Sequence, residues 1–243
     1  MKRMLLTISY DGTSYHGWQV QPNGITVQQV MQDALEKLLG TRPKLTGCSR
    51  TDAGVHAKEF CCHLDCDDHF PVNAFLKGLN SLLPDDIVVT DCKQVSDDFH
   101  ARYNAKGKKY IYSMYCGELN PFASRYNLHL ERIPDVNLMN QFCRNIIGTH
   151  DFAGFSSSRR TVEDTVRTIS QCRVISKDGY IFFEVTADGF LYNMVRILAG
   201  TALAVGYGQL KADCCDLVFA TQNRAAAGDT LPPHGLMLNK VIY

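Results

Sequence analysis

Gln171-Cys172-Arg173-Val174-Ile175-Ser176-Lys177-Asp178-Gly179-Tyr180-Ile181-Phe182-Phe183-Glu184-Val185-Thr186-Ala187 is the most telling stretch for the architecture of this chain. Gln171 to Ile175 and Tyr180 to Ala187 read as strands, and Lys177-Asp178-Gly179 reads as the turn that joins them into a hairpin. A hairpin pairs its strands antiparallel and needs no crossover helix. A second hairpin-like pair occurs, and strands and helices do not alternate strictly. The chain is therefore expected to be α+β rather than a doubly wound sheet.

Working outward, Lys109 to Tyr115 is strand-like, with Tyr110, Tyr112 and Met114 on one face. Leu138 to Ile147, Asn193 to Val205 and Ala212 to Ala220 carry helical spacing, and Leu236 to Val241 ends as a strand. In the N-terminal half, Leu5 to Tyr10 is a strand closed by Asp11-Gly12-Thr13. Thr26 to Leu39 is the clearest helix: Thr26 and Gln29 form a capping-box pair, and Gly40 stands where a C-terminal cap is wanted. Val55 to Leu64 reads as a strand, Val72 to Leu83 as an amphipathic helix stopped by Pro84, and Ile87 to Thr90 as a short strand. The halves, 1–105 and 106–243, are both of strand-and-helix type without a residue-level repeat. No linker separates them, so a shared sheet is expected.

At 243 residues and 45% apolar composition the chain can bury real cores and is not disordered. Its apolar runs fall well short of the ~18 residues that span a bilayer. The first residues enter a strand pattern with no signal-peptide character, so a soluble, cytoplasmic protein is expected. Net charge is zero, with 25 basic and 25 acidic residues, so any nucleic-acid contact must come from local clusters. Two exist: Arg102, Lys106, Lys108 and Lys109, and separately Arg159, Arg160 and Arg167. The ten cysteines are scattered, and several fall on apolar faces, as expected of free buried thiols. Cys61-Cys62-His63 with Cys66 and His69 matches no common zinc spacing, and the strand reading outweighs a metal site.

Chemistry concentrates at Cys48-Ser49-Arg50-Thr51-Asp52-Ala53-Gly54-Val55-His56-Ala57. Asp52 there has three readings: a carboxylate bracing a turn, a nucleophile toward a sugar or ring carbon, or a ligand of a hard metal, for which no further carboxylates stand nearby. Tyr110 is either core packing or, with Lys106, Lys108 and Lys109 before it, a surface for an unstacked base. Arg196 lies among apolar residues in Gly189 to Gly200 and calls for a carboxylate partner, with Asp52 a natural candidate.

Several of these stretches together resemble the bacterial tRNA pseudouridine synthase A (TruA) family over almost the whole chain. They are Tyr10-Asp11-Gly12-Thr13, Gly17-Trp18-Gln19 with Gln21, Thr26-Val27-Gln28, Ser49 to Ala57, Phe99 to Arg102 with Tyr110, Gly148 to Phe152, Gly189 to Gly200 and Pro232 to Leu236. The resemblance implies that Asp52 is the catalytic aspartate, Tyr110 packs on the target base, Arg196 pairs with Asp52, and Arg50 helps extrude the nucleotide. It implies uridines 38, 39 and 40 of the tRNA anticodon stem-loop as substrate. It further implies two α/β subdomains around a mixed, largely antiparallel sheet, and a homodimer with a basic cleft. Neither metal nor cofactor is expected, nor DNA or membrane as partner. Ser49 departs from the glycine usual at its place, which puts the loop's fine geometry in question.

Overall fold

A computed structural model describes residues 1–157 and 164–243. Arg159 and Arg160 of the second basic cluster lie outside the described residues. Among those described, the elements in chain order are β1 (Lys2–Tyr10), α1 (Val27–Leu39), β2 (Thr46–Gly47), β3 (His56–Cys66), α2 (Val72–Asn80), β4 (Ile87–Val95) and β5 (Gly107–Cys116). There follow α3 (Pro121–Ser124), β6 (Leu128–Leu130), α4 (Val136–Asn145), β7 (Gly148–Asp151), β8 (Val166–Lys177), β9 (Tyr180–Ala187), α5 (Met194–Gly206), α6 (Cys214–Thr221) and β10 (Leu236–Ile242). The class is α+β with mixed, largely antiparallel pairing. None of the described helices is long and apolar enough to cross a membrane.

The chain divides into two compact units, Met1–Lys106 with Met237–Tyr243, and Gly107–Leu236. In the first, the strand order is β4-β1-β3-β10. β1 pairs antiparallel with both β3 and β4, and β10 joins β3 in parallel through Met237 opposite His56 and Leu238 opposite Ala57. The returning segment is also held by Lys106 N donating to Ile242 O at 2.8 Å and by Tyr243 Oη donating to Ala101 O at 2.7 Å. Helix α1 begins where the sequence places its cap: Thr26 Oγ1 accepts Gln29 N at 3.3 Å, and Gly40 closes the helix at φ 75°. Val27, Met31, Ala34 and Leu35 form its buried stripe, whereas Val30, Leu38 and Leu39, apolar at neighbouring helical positions, stay partly exposed. Helix α2 ends at Asn80, before Pro84, and a turn follows in which Leu82 and Leu83 both donate to Leu79 O.

In the second unit the order is β5-β9-β8-β7, with β6 in parallel on β5. The predicted hairpin is present, longer than its sequence reading: β8 and β9 pair from Lys177 opposite Tyr180 outward. Its two-residue turn has Asp178 at φ 51° and Gly179 at φ 80°, the positive pair that a right-twisted hairpin requires. Helix α4 lies on this sheet, and Asn140 substitutes for a strand: its amide accepts Val174 N and donates to Val174 O, both at 2.9 Å. Helix α5 is buried on nearly every side, as its apolar composition dictates.

Cys61, Cys62, His63 and Cys66 are part of the first core, while His69 is exposed. His63 Nδ1 accepts Ala101 N at 3.1 Å, and burial pushes the Cys61 thiol up to about 12. Among the described residues no group of three His, Cys, Asp or Glu is arranged to hold a metal.

Candidate active site

The Asp52 loop is a tight turn held from the outside. Val55 N donates to Asp52 O at 3.1 Å, so Asp52 is the first residue of a β-turn, and Gly54 supplies the positive φ of 78° at its third position. Asp52 itself is half-buried, Arg50 exposed, and Thr51 between them buried. Ser49 is not among the described residues with positive φ, so serine meets no backbone strain where the resemblance expects glycine.

What fixes the turn is the segment from Tyr10 to Trp18. Tyr10 Oη and Thr51 Oγ1 share a buried hydrogen bond of 2.8 Å. Trp18 N donates to Thr51 O at 3.1 Å, and Gly54 N to Tyr15 O at 3.2 Å. Two glycines allow this approach. A Cβ on Gly12 would lie 2.1 Å from Val55 O, and one on Gly17, at φ +82°, would lie 2.4 Å from Thr51 O. Trp18 anchors the outer end against Phe60, ring centroids 4.2 Å apart. Tyr15 Oη donates to Asp86 at 2.6 Å, and burial raises its phenol further above the ordinary range, so it stays neutral.

His56 closes the other side. Its Nδ1 stands 3.0 Å from Gly12 N and 3.1 Å from Asp11 Oδ1. Unprotonated, that nitrogen accepts the Gly12 N–H; protonated, it donates to Asp11 instead. Either state ties the residue after the turn to the end of β1.

In the second unit, β5 alternates as its sequence predicts, with Tyr110, Tyr112 and Met114 buried. Tyr110 is 7% exposed and meets Phe190 edge to face at 5.2 Å. Tyr112 Oη donates to Pro232 O at 2.8 Å, which ties the Pro232-Pro233-His234-Gly235 stretch to this strand. Arg196, in the first turn of α5, is half-buried rather than fully so. Its Nε donates to Leu231 O at 2.6 Å and its Nη1 to Asn193 Oδ1 at 2.9 Å. Asn193 holds that acceptor in place from a left-handed backbone, φ 60°, a conformation asparagine tolerates better than most residues. Its Nδ2 donates to Ser157 Oγ at 2.8 Å. Further along, Gly228 N donates to Thr201 Oγ1 at 2.9 Å, so the 228–232 segment is laced along α5 and presets the guanidinium.

The basic cluster before Tyr110 is less open than its sequence suggests. Lys108 is buried, and Lys109 pairs with Glu184 at 3.0 Å; Arg102 and Lys106 are exposed. Arg50 and Asp52 share one loop of the first unit, while Tyr110 and Arg196 belong to the second. The bracing roles of Tyr10, Gly12, Gly17, His56 and Asn193 were not assigned from sequence. Their motifs were visible, but nothing local says which loop they touch.

A family model described as tRNA pseudouridine synthase matches residues 6–104 and 142–243. The chain is similar over its full length to curated bacterial proteins. It is 42% identical over 244 residues to tRNA pseudouridine synthase A of Clostridium kluyveri, covering 100% of both chains. It is 45% identical over 248 residues to tRNA pseudouridine synthase A of Ruminiclostridium cellulolyticum and 41% identical over 244 residues to that of Thermoanaerobacter sp. strain X514, again with 100% of both chains covered.

Proposed function

The chain belongs to the tRNA pseudouridine synthase family, a family of isomerases, and from that premise we propose that it converts uridine to pseudouridine at positions 38, 39 and 40 of the tRNA anticodon stem-loop, with Asp52 as the group that acts on the ribose. The bracing of the Asp52 turn carries this assignment. A turn residue that only capped its own loop would not need a second segment, with two side-chain-free glycines, packed against its peptide.

The reaction breaks the C1′–N1 bond, rotates the uracil, joins C5 to C1′, and moves the C5 proton to solvent as N1 is protonated. No atom is lost and no electron pair leaves, so the chemistry asks for no redox partner. Glycosidic cleavage places positive charge on the sugar, which a carboxylate captures or stabilises. Asp52 either attacks C1′ or removes a sugar proton to give a glycal; both routes require an ionised, immobile carboxylate. Arg196, preset by Leu231 O and Asn193, is suited to be its counter-charge and to favour the ionised form.

A uridine within a stem must be flipped out, at a few kcal/mol of lost stacking and pairing. Tyr110 offsets part of this by stacking on the extruded base, on the order of 1–3 kcal/mol. Arg50, exposed at the edge of the turn, fills the vacated place in the stem. The protein acts in the cytoplasm as a homodimer; sedimentation at twice the 27.2 kDa chain mass is expected, and a monomer would refute that part.

Asp52→Asn tests the central claim. The variant keeps the shape of the turn, binds tRNA like the parent, and forms no pseudouridine in a single-turnover assay. Residual turnover above about a thousandth of the parent rate would remove Asp52 from the chemistry, since the loss of a covalent catalyst costs more than that.

A further inference from the structure

The turn from His100 to Asn104 is over-determined for a surface loop. His100 N donates to Asn104 Oδ1, and Asn104 N to His100 O at 3.0 Å, so the turn is closed twice. His100 Nδ1 accepts both Arg102 N at 3.1 Å and Tyr103 N at 3.3 Å. Beneath it, Ala101 is fully buried, its N–H taken by His63 and its carbonyl by Tyr243. Side chains thus satisfy the backbone groups that such a turn would otherwise leave to water.

At the top of this rigid support stands Tyr103, 77% exposed. One face of its ring stacks on His100, centroids 4.2 Å apart and planes 29° from parallel. The Arg102 guanidinium carbon lies 5.9 Å from the ring centroid. Arg102 and Lys106 are both exposed on this stretch, and the acidic pair Asp97 and Asp98 stands on its far side, before Phe99. Burial and the nearby charges of Arg3, Arg102 and Lys44 hold His100 below its ordinary range, so it remains the neutral acceptor the turn needs.

A large aromatic ring left in water on a flexible loop has a simple explanation in chance; one held on a fixed backbone, half-stacked and with a guanidinium beside it, does not. That combination is what an unpaired nucleobase with its phosphate requires. We propose that Tyr103, supported by His100 and Arg102, is a stacking platform for an unpaired nucleotide of the RNA substrate other than the uridine that reacts. The inference rests on the tRNA-modifying function above. A protein partner is the less favoured occupant, because a lone exposed ring beside a guanidinium offers little apolar area to bury.

The test compares the full-length parent with Tyr103→Ala, Tyr103→Trp and Arg102→Ala. Affinity for unmodified tRNA transcript is measured at several salt concentrations, alongside single-turnover pseudouridine formation at saturating enzyme. Tyr103→Ala is expected to weaken binding about 5- to 150-fold, the equivalent of one lost base stack. It should leave the saturated rate and the salt slope alone. Tyr103→Trp should retain affinity within twofold, and Arg102→Ala should lower the salt slope by about one. Unchanged tRNA affinity in Tyr103→Ala overturns the platform. So does a loss confined to self-association, seen by sedimentation without RNA. A parent that binds tRNA but forms no pseudouridine would instead refute the proposed reaction, leaving the platform to be judged by binding alone.

Discussion

Replacing Gly17 by alanine probes the mechanical basis of the site more directly than removing the carboxylate. Gly17 adopts φ +82°, and an alanine Cβ there would lie 2.4 Å from Thr51 O, 3.1 Å from Asp52 C and 3.2 Å from Ala53 N. Ordinary contact begins near 3.4 Å, so the Thr51 carbonyl has to retreat by about 1 Å. A left-handed L-residue costs roughly 1–2 kcal/mol, and the stretched Trp18 N to Thr51 O hydrogen bond another 0.5–1.5 kcal/mol or so. Gly17→Ala should therefore lose about 2–3 kcal/mol of stability in urea denaturation. A displacement of about 1 Å at the adjoining Asp52 peptide should cut the single-turnover rate about 100-fold at saturating tRNA. Gly40→Ala is the internal control. It carries a similar φ of +75° but has no atom within 4 Å of the added Cβ, so it should lose only about 1–2 kcal/mol and keep its full rate. If Gly17→Ala retains the parent rate within threefold while folded, the bracing does not position Asp52.

Two further outcomes are expected. The buried ring of His63 titrates near 4 in the fold, against an ordinary value of 6.5, chiefly because burial disfavours its cation. Between those values the unfolded chain binds the extra proton, so stability is fully present above pH 6.5 and falls as pH drops toward 4, by up to about 3 kcal/mol. Urea midpoints at pH 7 and 4.5 should show this slope in the parent and a flatter one in His63→Gln, whose amide oxygen can still accept from Ala101; equal slopes would refute it. Asn193→Gly and Asn193→Ala separate backbone from side chain at the start of α5. Glycine accepts φ 60° and should preserve stability, alanine should lose about 1–2 kcal/mol, and both should lower turnover through an Arg196 guanidinium that keeps Leu231 O but loses Asn193 Oδ1. Parent-like turnover in the glycine variant would show that Asn193 serves only the helix.

Helices and hairpin were legible because their signals are local. Thr26, Gln29 and Gly40 bracket α1, and Asp178-Gly179 turns β8 into β9 by chemistry written in adjacent residues. Strand extents were less so. β4 continues to Val95 past the predicted Thr90 because Thr7 to Arg3 of β1 offer it hydrogen-bond partners, a tertiary cause with no local mark. Short β2, β6 and β7 likewise exist through the strands beside them. The same division runs through the site. Arg50, Asp52 and Gly54 declare themselves within one decapeptide, whereas the hold of Tyr10, Gly12 and Gly17 on it spans some 35–45 residues of sequence. Arg196 reads as a cation in an apolar helix, but its carbonyl partner at Leu231 is set only when the 228–232 segment folds back.

The parallel pairing of β10 with the start of β3 also has a temporal meaning. His56 and Ala57, the first residues after the Asp52 turn, find Met237 and Leu238 only after the intervening unit, Gly107–Leu236, has been synthesised. At about 5–20 residues per second, those 130 residues take the ribosome roughly 7–26 s. For that interval the nascent chain carries the Asp52 turn on an unfinished sheet. A product cut short by stalled translation would bear Arg50 and Asp52 without their final support, so completion of synthesis is itself a condition on the geometry of that turn.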